Sequence, residues 1–322
     1  MGAAHSRGAW MKTLAQAFER WFAAHKRPMP WRQKVTPYAC YLSEIMMQQT
    51  TYASVLPYYE RFLKRFPTIE KLAAANLEDV LKAWEGLGYY ARARNLHRAA
   101  KEIAANKAWP KSAAEWAQVP GVGPYTAAAL SSVLNGERTS VVDGNVARVF
   151  ARYWMMADDF HKLPARNKLA ARLNQEITAA KIPGDFNQAM MELGALVCTP
   201  TNPNCAACPL RDKCAAKKEG VIESYPTKAK KKELPRRAAQ VVILADQKGR
   251  VLLVQNKEGG LLKGLWELPS VEGTGEYHQT FSHFHLDWKV LRGKRNDATF
   301  QDPHKVPLTT ATKKVLTSAG LL

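Results

Sequence analysis

No apolar run in the 322-residue sequence approaches the ~18 residues of a membrane-spanning helix, so a helical membrane protein is excluded. Met1–Lys12 lacks the apolar core of a secretory signal. Met1-Gly2-Ala3-Ala4-His5-Ser6 fits a myristoylation pattern, but so few fixed positions recur often by chance; this start reads as unstructured, not as a lipid anchor. Cysteine is sparse. Of five, Cys198, Cys205, Cys208 and Cys214 crowd together, which argues against a secreted disulfide framework and for a metal site in a reducing compartment. Cys40, alone in an apolar stretch, reads as a small buried side chain. Gly (19) and Pro (18) are ordinary in number, excluding collagenous and low-complexity chains, and there is no internal repeat.

Acidic residues are outnumbered, 28 against 47 Lys and Arg, for a formal net charge of +19. In a chain with no membrane signal, an excess of that size points first to nucleic acid, although a generic basic surface would look the same. With 46% hydrophobic residues the chain can fill about two domain cores.

From Trp10 to about Lys217 the pattern is helical. Leu72, Val80, Leu81 and Trp84, and again Leu96, Ala99, Ala100 and Ile103, are spaced for one helix face. Pro226–Arg237 carries six basic residues, four of them between its two prolines, and reads as an exposed linker. Beyond it the texture turns to strands. Gln240–Ala245, a turn at Asp246–Gly249 and Arg250–Gln255 read as a hairpin, with further strand pieces at Trp266–Pro269 and Gln279–Asp287. The fold class expected is mainly α, with a small α+β domain at the C-terminal end.

Three motifs carry chemistry. Val119-Pro-Gly-Val-Gly-Pro-Tyr-Thr-Ala127 places Gly121, Val122 and Gly123 in a turn between helices. That turn can present backbone N–H groups and a helix N-terminus to a DNA phosphate. Twenty residues past Gly123, Asp143 precedes a helical stretch; such an Asp is most often an N-cap. Cys198-x6-Cys205-x2-Cys208-x5-Cys214 could enclose zinc or an iron–sulfur cluster, with Arg211 and Lys213 inside the loop available for phosphates.

The hairpin followed by Asp143 resembles the helix-hairpin-helix superfamily of base-excision DNA glycosylases, and the cysteine spacing resembles the [4Fe–4S] loop of its endonuclease III and MutY branch. Leu42-Ser-Glu-Ile-Met-Met-Gln-Gln-Thr50, Glu85-Gly-Leu-Gly-Tyr-Tyr-Ala-Arg-Ala-Arg-Asn-Leu96, Trp31-Arg32, Phe186-Asn-Gln-Ala-Met-Met-Glu-Leu-Gly194 and Phe281-Ser-His283 narrow it further. They are similar to the MutY family of adenine DNA glycosylases, densely over residues 10 to 225 and thinly over 238 to 290. The resemblance implies a helical glycosylase region over 1–225, with a six-helix subdomain at about 29–135 and a cluster subdomain made of about 1–28 plus 136–225. A basic linker at 226–237 and a Nudix-like domain over 238–322 that reads 8-oxoguanine would follow.

The resemblance also implies roles. Glu44 would protonate the departing adenine, and Asp143 would face the sugar cation, with Tyr125 and Asn145 hydrogen-bonded around it. A glycosidic bond needs both carboxylates, one protonated and one ionised. Gln49, with Thr50 beside the oxidised base, and Tyr89 would fill the emptied base stack; Trp31 and Gln188 would line the adenine pocket; Gln48 and Arg32 would also bind substrate; Phe281, Ser282 and His283 would contact 8-oxoguanine. Cys198, Cys205, Cys208 and Cys214 would bind a [4Fe–4S] cluster. Tyrosine at 125, where bifunctional relatives carry a Schiff-base lysine, implies a monofunctional enzyme.

The expected partner is double-stranded DNA with 8-oxoguanine:A or G:A mispairs, bound by a monomer without any membrane role. The expected location is the cytoplasm of a bacterium, or the nucleus or mitochondrion of a eukaryote. Two departures stand out. The Nudix catalytic box is missing, and only nine residues separate Pro269 from Gln279, too few for that module's usual helix, so the domain looks abridged. The rival readings are a mismatch thymine or uracil glycosylase of the same superfamily and a catalytically silent, cluster-containing DNA-binding protein.

Overall fold

The computed structural model describes residues 13–227, 236–246, 248–257, 260, 262–272, 277–280, 285–293 and 300–322. The fold is mainly helical, as expected, and its contacts divide it into two units. The first contains Met1–Glu44 and Trp109–Lys230, the second Ile45–Ala108 and Lys231–Leu322. This division cuts across the ranges drawn from the sequence, because residues of the 45–108 segment bond to the C-terminal residues. Trp266 Nε1 donates to Glu78 (2.7 Å), and Arg94 donates to the carbonyls of Lys263 (2.8 Å) and Gly260 (3.1 Å).

The first unit is built on aromatic and branched side chains spaced three and four apart. Phe18 and Phe22 of helix Leu14–His25, Phe150 of Gly144–Tyr153, Leu169 and Leu173 of Leu163–Ile177 and Phe186 of Pro183–Leu196 fill one core. Phe18 and Phe186 meet edge to face, with ring centroids 5.5 Å apart. The motif at Val119–Ala127 forms a short helix, Ala113–Trp116, a turn, and a second helix, Pro124–Asn135. Gly121 turns the chain with φ +81°, where a side chain would be strained. Gly123 caps the second helix with Pro124 at its first position, and a Cβ built there would meet nothing within 4 Å, leaving the backbone open to a ligand.

In the second unit the helical spacing predicted from Leu72 to Trp84 resolves into two helices, Ile69–Ala74 and Leu77–Trp84, the second capped at Asn76. Leu96, Ala99, Ala100 and Ile103 are buried along Ala91–Asn106, as their spacing predicts. Strand Arg236–Leu244 lies between Ser270–Glu272 (antiparallel) and His285–Gly293 (parallel), with Tyr277–Thr280 antiparallel beyond it.

The expected hairpin survives only next to its turn. Asp246 Oδ1 accepts the N–H groups of Lys248 and Arg250, both at 2.9 Å, and Ala245 bridges Val251. The returning chain then leaves its neighbour: Val251–Leu252 pairs with Phe300–Gln301, and Val254–Gln255 with Trp266–Glu267. Ile243, Val251, Leu268, Leu308, Val315 and Leu316 form the core here, closed by helix Thr310–Ser318. No helix stands among the described residues between Pro269 and Gln279, which hold strands Ser270–Glu272 and the start of Tyr277–Thr280. Phe281, Ser282 and His283 lie outside the described residues.

Candidate active site

Asp143 is both things its sequence context suggests. It caps helix Gly144–Tyr153, its Oδ1 accepting the Val146 N–H at 2.7 Å, while Oδ2 accepts Asn145 Nδ2 at 3.0 Å. Burial pushes its carboxyl above the usual carboxylate range, and the N–H groups of Val146 and Asn145 with the Arg148 charge pull against that rise.

Glu44 lies on helix Pro37–Met47, where Tyr41, Leu42, Ile45 and Met46 are buried around it. Burial raises its carboxyl to about 7; the Arg32 charge opposes the shift and the Asp143 charge adds to it. The two acids therefore sit in one buried electrostatic field but with unequal support. Asp143 has donors aimed at both its oxygens, which favour its ionised form against the burial, whereas for Glu44 only the Arg32 charge acts on that side.

Tyr125 corrects an expectation. Its hydroxyl does not bond to Asp143 but donates to Met191 Sδ at 2.9 Å. Burial first, and then the charges of Glu44 and Asp143, push its phenol well above the ordinary tyrosine range, so it remains protonated beside both acids. Asn145 does bond to Asp143 as expected, and Arg148 fixes it in turn: Nη2 donates to Asn145 Oδ1 and to the Gly194 carbonyl, both at 2.8 Å.

Arg32 Nε donates to Gln188 Oε1 at 2.6 Å. Because arginine only donates, the Gln188 amide must face it through oxygen, which turns the NH2 group outward. The oxygen keeps a second lone pair, so the amide can still both donate and accept. Arg32 and Arg27 also converge on Glu192, which is 2% exposed, at 3.1 and 2.7 Å. Trp31 is buried on the same short helix as Arg32, Pro30–Gln33.

Arg27, Arg148, Met191 and Glu192 escaped the sequence reading. Met191 and Glu192 lie inside a quoted motif, and Glu192 falls four residues, one helical turn, past Gln188, a spacing that could have flagged it. Nothing in the sequence singles out Arg27 or Arg148.

Gly194 gives a direct test of this geometry. A Cβ there would stand 2.6 Å from Asn145 Cβ and 2.9 Å from its carbonyl oxygen, so one of the two helices must shift. Gly194→Ala is expected to lower the single-turnover rate of base release about tenfold to a hundredfold, since sub-ångström misplacement of a reacting group costs that much. DNA affinity should change less than threefold. An unchanged rate would show that Asn145 does not set Asp143.

The second unit presents the remaining candidates on two loops. Gln49 (φ +55°) and Tyr89 (φ +50°) are two of five described non-glycine residues in left-handed backbone, a conformation retained where the surroundings over-determine it. Arg92 ties the loops together. Its Nη1 donates to the carbonyls of Met46 (2.7 Å) and Gln48 (2.5 Å), and its Nη2 to Thr50 Oγ1 (3.1 Å) and the carbonyls of Leu87 and Gly88 (3.3 Å each).

In the first unit Cys198, Cys205, Cys208 and Cys214 line one small cavity beside Arg152 and Tyr153. Arg152, 2% exposed, donates to Cys198 Sγ at 3.3 Å and to the Thr199 carbonyl at 2.7 Å. Burial pushes the Cys208 thiol up to about 12 and raises Cys214. Among the described residues no set of three or more His, Cys, Asp or Glu is arranged to hold a single metal ion. Arg211 bonds to its neighbour Asp212 (2.9 Å) in an exposed pair, so its charge is already partly engaged. Cys40 is buried, and burial raises its thiol to about 12. No described helix is long and apolar enough to cross a membrane.

Residues 42–175 match the model of the HhH-GPD superfamily of base-excision DNA repair proteins. The human adenine DNA glycosylase is 36% identical, with 92% of this chain matched to 72% of that protein. The adenine DNA glycosylase of Buchnera aphidicola from Acyrthosiphon pisum is 34% identical, with 91% matched to 90%. Among solved structures, a thermostable thymine-DNA glycosylase overlays with a TM-score of 0.57 at 23% identity, covering 64% of this chain and 95% of its own, a likeness of fold alone. The fold, the hairpin and these relatives agree: the chain belongs to the adenine DNA glycosylases of the helix-hairpin-helix base-excision superfamily.

Proposed function

We propose that the protein hydrolyses the N-glycosidic bond of adenine mispaired with 8-oxoguanine or guanine in duplex DNA, as a monofunctional enzyme that leaves an abasic site. The observation that carries this reading is the unequal pair of buried carboxylates. Glu44, with its carboxyl raised to about 7, keeps a proton to give to a ring nitrogen of the leaving base. Asp143, fixed by Val146 N and Asn145 Nδ2, keeps a negative charge for the sugar cation. Gln188, its oxygen engaged by Arg32, donates to an acceptor on the adenine edge. Tyr125 offers no amine for a Schiff base, which supports hydrolysis without strand cleavage.

DNA enters this reading through the hairpin at Gly121–Gly123 and the +19 charge. Gln49, Thr50 and Tyr89 take the place of the extruded base, in keeping with the left-handed backbone at Gln49 and Tyr89. The four cysteines would hold a [4Fe–4S] cluster. Their shared cavity supports one group bound by all four, and their spacing, which resembles the family's [4Fe–4S] loop, favours the cluster over zinc. Such a group supplies a cross-link for residues 198–214 and takes no part in the steps above.

Ser282 and His283 would read the oxidised guanine, whose N7–H donates where guanine's N7 accepts. One or two such bonds are worth about 1–3 kcal/mol, a preference of roughly ten- to hundredfold. The test is single-turnover base release from duplexes with A or T opposite G or 8-oxoguanine. Adenine alone should leave, fastest opposite 8-oxoguanine, and borohydride should trap no more than a trace of enzyme on an abasic duplex. Changing Ser282 and His283 together to Ala should lower the 8-oxoguanine preference more than the activity opposite G. Release of thymine, or efficient trapping, would overturn the assignment.

A further inference from the structure

The loop Glu85–Tyr90 is held from two sides. From one side Arg92 grips the Leu87 and Gly88 carbonyls. From the other comes a segment more than 200 residues later in the chain. The Glu85 side chain, 6% exposed, accepts from Lys313 Nζ (2.7 Å) through Oε1, and from Lys82 Nζ (2.9 Å) and the Leu308 N–H (3.1 Å) through Oε2. Lys82 Nζ reaches on to the Val306 carbonyl at 2.8 Å. The Tyr90 hydroxyl donates to the Leu308 carbonyl (3.4 Å) and accepts the Gly86 N–H (3.3 Å).

Between these anchors the backbone is left-handed at Gly86 (φ +98°), Gly88 (φ +74°) and Tyr89 (φ +50°), and a Cβ on Gly86 would strike Tyr58 Oη at 2.3 Å. The glycines take positive φ at no steric cost, so the strained torsion is that of Tyr89, which is kept only while the loop is fastened on both sides. Burial pushes the Glu85 carboxyl up, yet the donors Lys313, Leu308 and Lys82 outweigh it and hold it below the ordinary carboxylate range. A buried acid with this much specific support has a directional task, because losing one partner leaves the others uncompensated.

We propose that Glu85 is a positioning residue through which the C-terminal segment Pro303–Lys313 holds the Tyr89 loop in the form that enters DNA. The proposal rests on the reading of Tyr89 as the residue that fills the emptied stack. It makes the C-terminal residues of this chain contribute to opening the duplex, separately from any contact they make with the opposing base. Shortening the chain at the linker would then remove two functions, not one.

The test uses full-length protein, a duplex with A opposite G, and its fully paired counterpart. It reads the ratio of the paired duplex's dissociation constant to that of the mispaired one, together with the fluorescence of a 2-aminopurine placed beside the mispair as a report of unstacking. Tyr89→Ala should lower the ratio about five- to hundredfold, the range for one stacked base. Glu85→Gln and Lys313→Met should each lower it about three- to tenfold and reduce the unstacking signal, while Lys313→Arg restores both.

Neither change should lower the ratio further once Tyr89 is Ala, since positions acting through one residue are not additive. Should Glu85→Gln fold poorly, Lys313→Met carries the test, the Lys313 side chain being nearly half exposed. Wild-type ratios in both variants, or losses that multiply with that of Tyr89→Ala, would overturn the proposal while sparing the reading of Tyr89. A silent Tyr89→Ala would remove both.

Discussion

Asp143→Asn and Glu44→Gln are each expected to lower single-turnover adenine release by roughly 10² to 10⁴, the range for removing a positioned proton donor or a transition-state charge. Affinity for a mispaired duplex should stay within about threefold, because neither side chain is placed to grip phosphate. Neither change should unfold the protein. Asn caps a helix about as well as Asp, so Val146 keeps its acceptor. Glu44 is buried with its carboxyl raised to about 7, and a neutral amide removes a charge that folding disfavours.

The pH profile separates the roles. An acid limb at lower pH should mark protonation of Asp143, which must be ionised. Glu44 acts in its protonated form, so the rate should fall towards tenfold per unit above about 7. In Glu44→Gln the small remaining rate should lack that falling limb. Substantial turnover in either variant, or a wild-type rate that climbs through this range, would contradict the two-carboxylate mechanism.

Much of this site was legible because its residues sit at fixed offsets within local elements. Asp143 follows Val141-Val142 and precedes a helix; Gly121 and Gly123 mark a turn whose torsions only glycine tolerates at the first position. The helical spacing of Leu96 to Ile103 is periodic over a long element, where pattern is strongest. What escaped depends on distant pairing. The parallel register of Arg236–Leu244 with His285–Gly293 joins residues about fifty apart, and a strand's alternation names its faces but not its neighbour.

Hydrogen-bond partners were equally hidden. The sequence places Tyr125 near Asp143 but does not reveal that Met191 accepts its proton, nor that Arg32 takes up the oxygen of Gln188. Buried ions such as Arg152, Glu85 and Glu192 look like solvated surface charges until the fold encloses them, because a lone charged residue on a helix is usually exposed.

The second large effect expected concerns the cysteine loop, where Cys208→Ala should reduce soluble yield at least about tenfold and adenine release with it. The loop's own carbonyls satisfy a buried guanidinium: Arg152 donates to those of Thr199 (2.7 Å), Pro200 (2.9 Å), Tyr225 (3.0 Å) and Ile222 (3.1 Å). Once residues 198–225 loosen, Arg152 is left buried without acceptors, a penalty of about 1–3 kcal/mol or more for a charged group. The same loosening reaches the catalytic acid. Arg148 Nε bonds to the Cys198 carbonyl at 2.8 Å while its Nη2 holds Asn145, and Asn145 holds Asp143. With Cys208 raised to about 12 by burial, the free thiol stays protonated, so loading the proposed cluster must release protons and add its binding energy to folding. Anaerobically purified wild type should contain iron and sulfide near four per chain. The variant should contain far less, and its soluble fraction should melt earlier and release adenine more slowly per folded molecule. Stoichiometric zinc without iron in the wild type would remove the cluster. A Cys208→Ala protein with full yield, melting temperature and rate would show that the loop holds its shape, and Asp143 its orientation, through Arg148 and Arg152 alone.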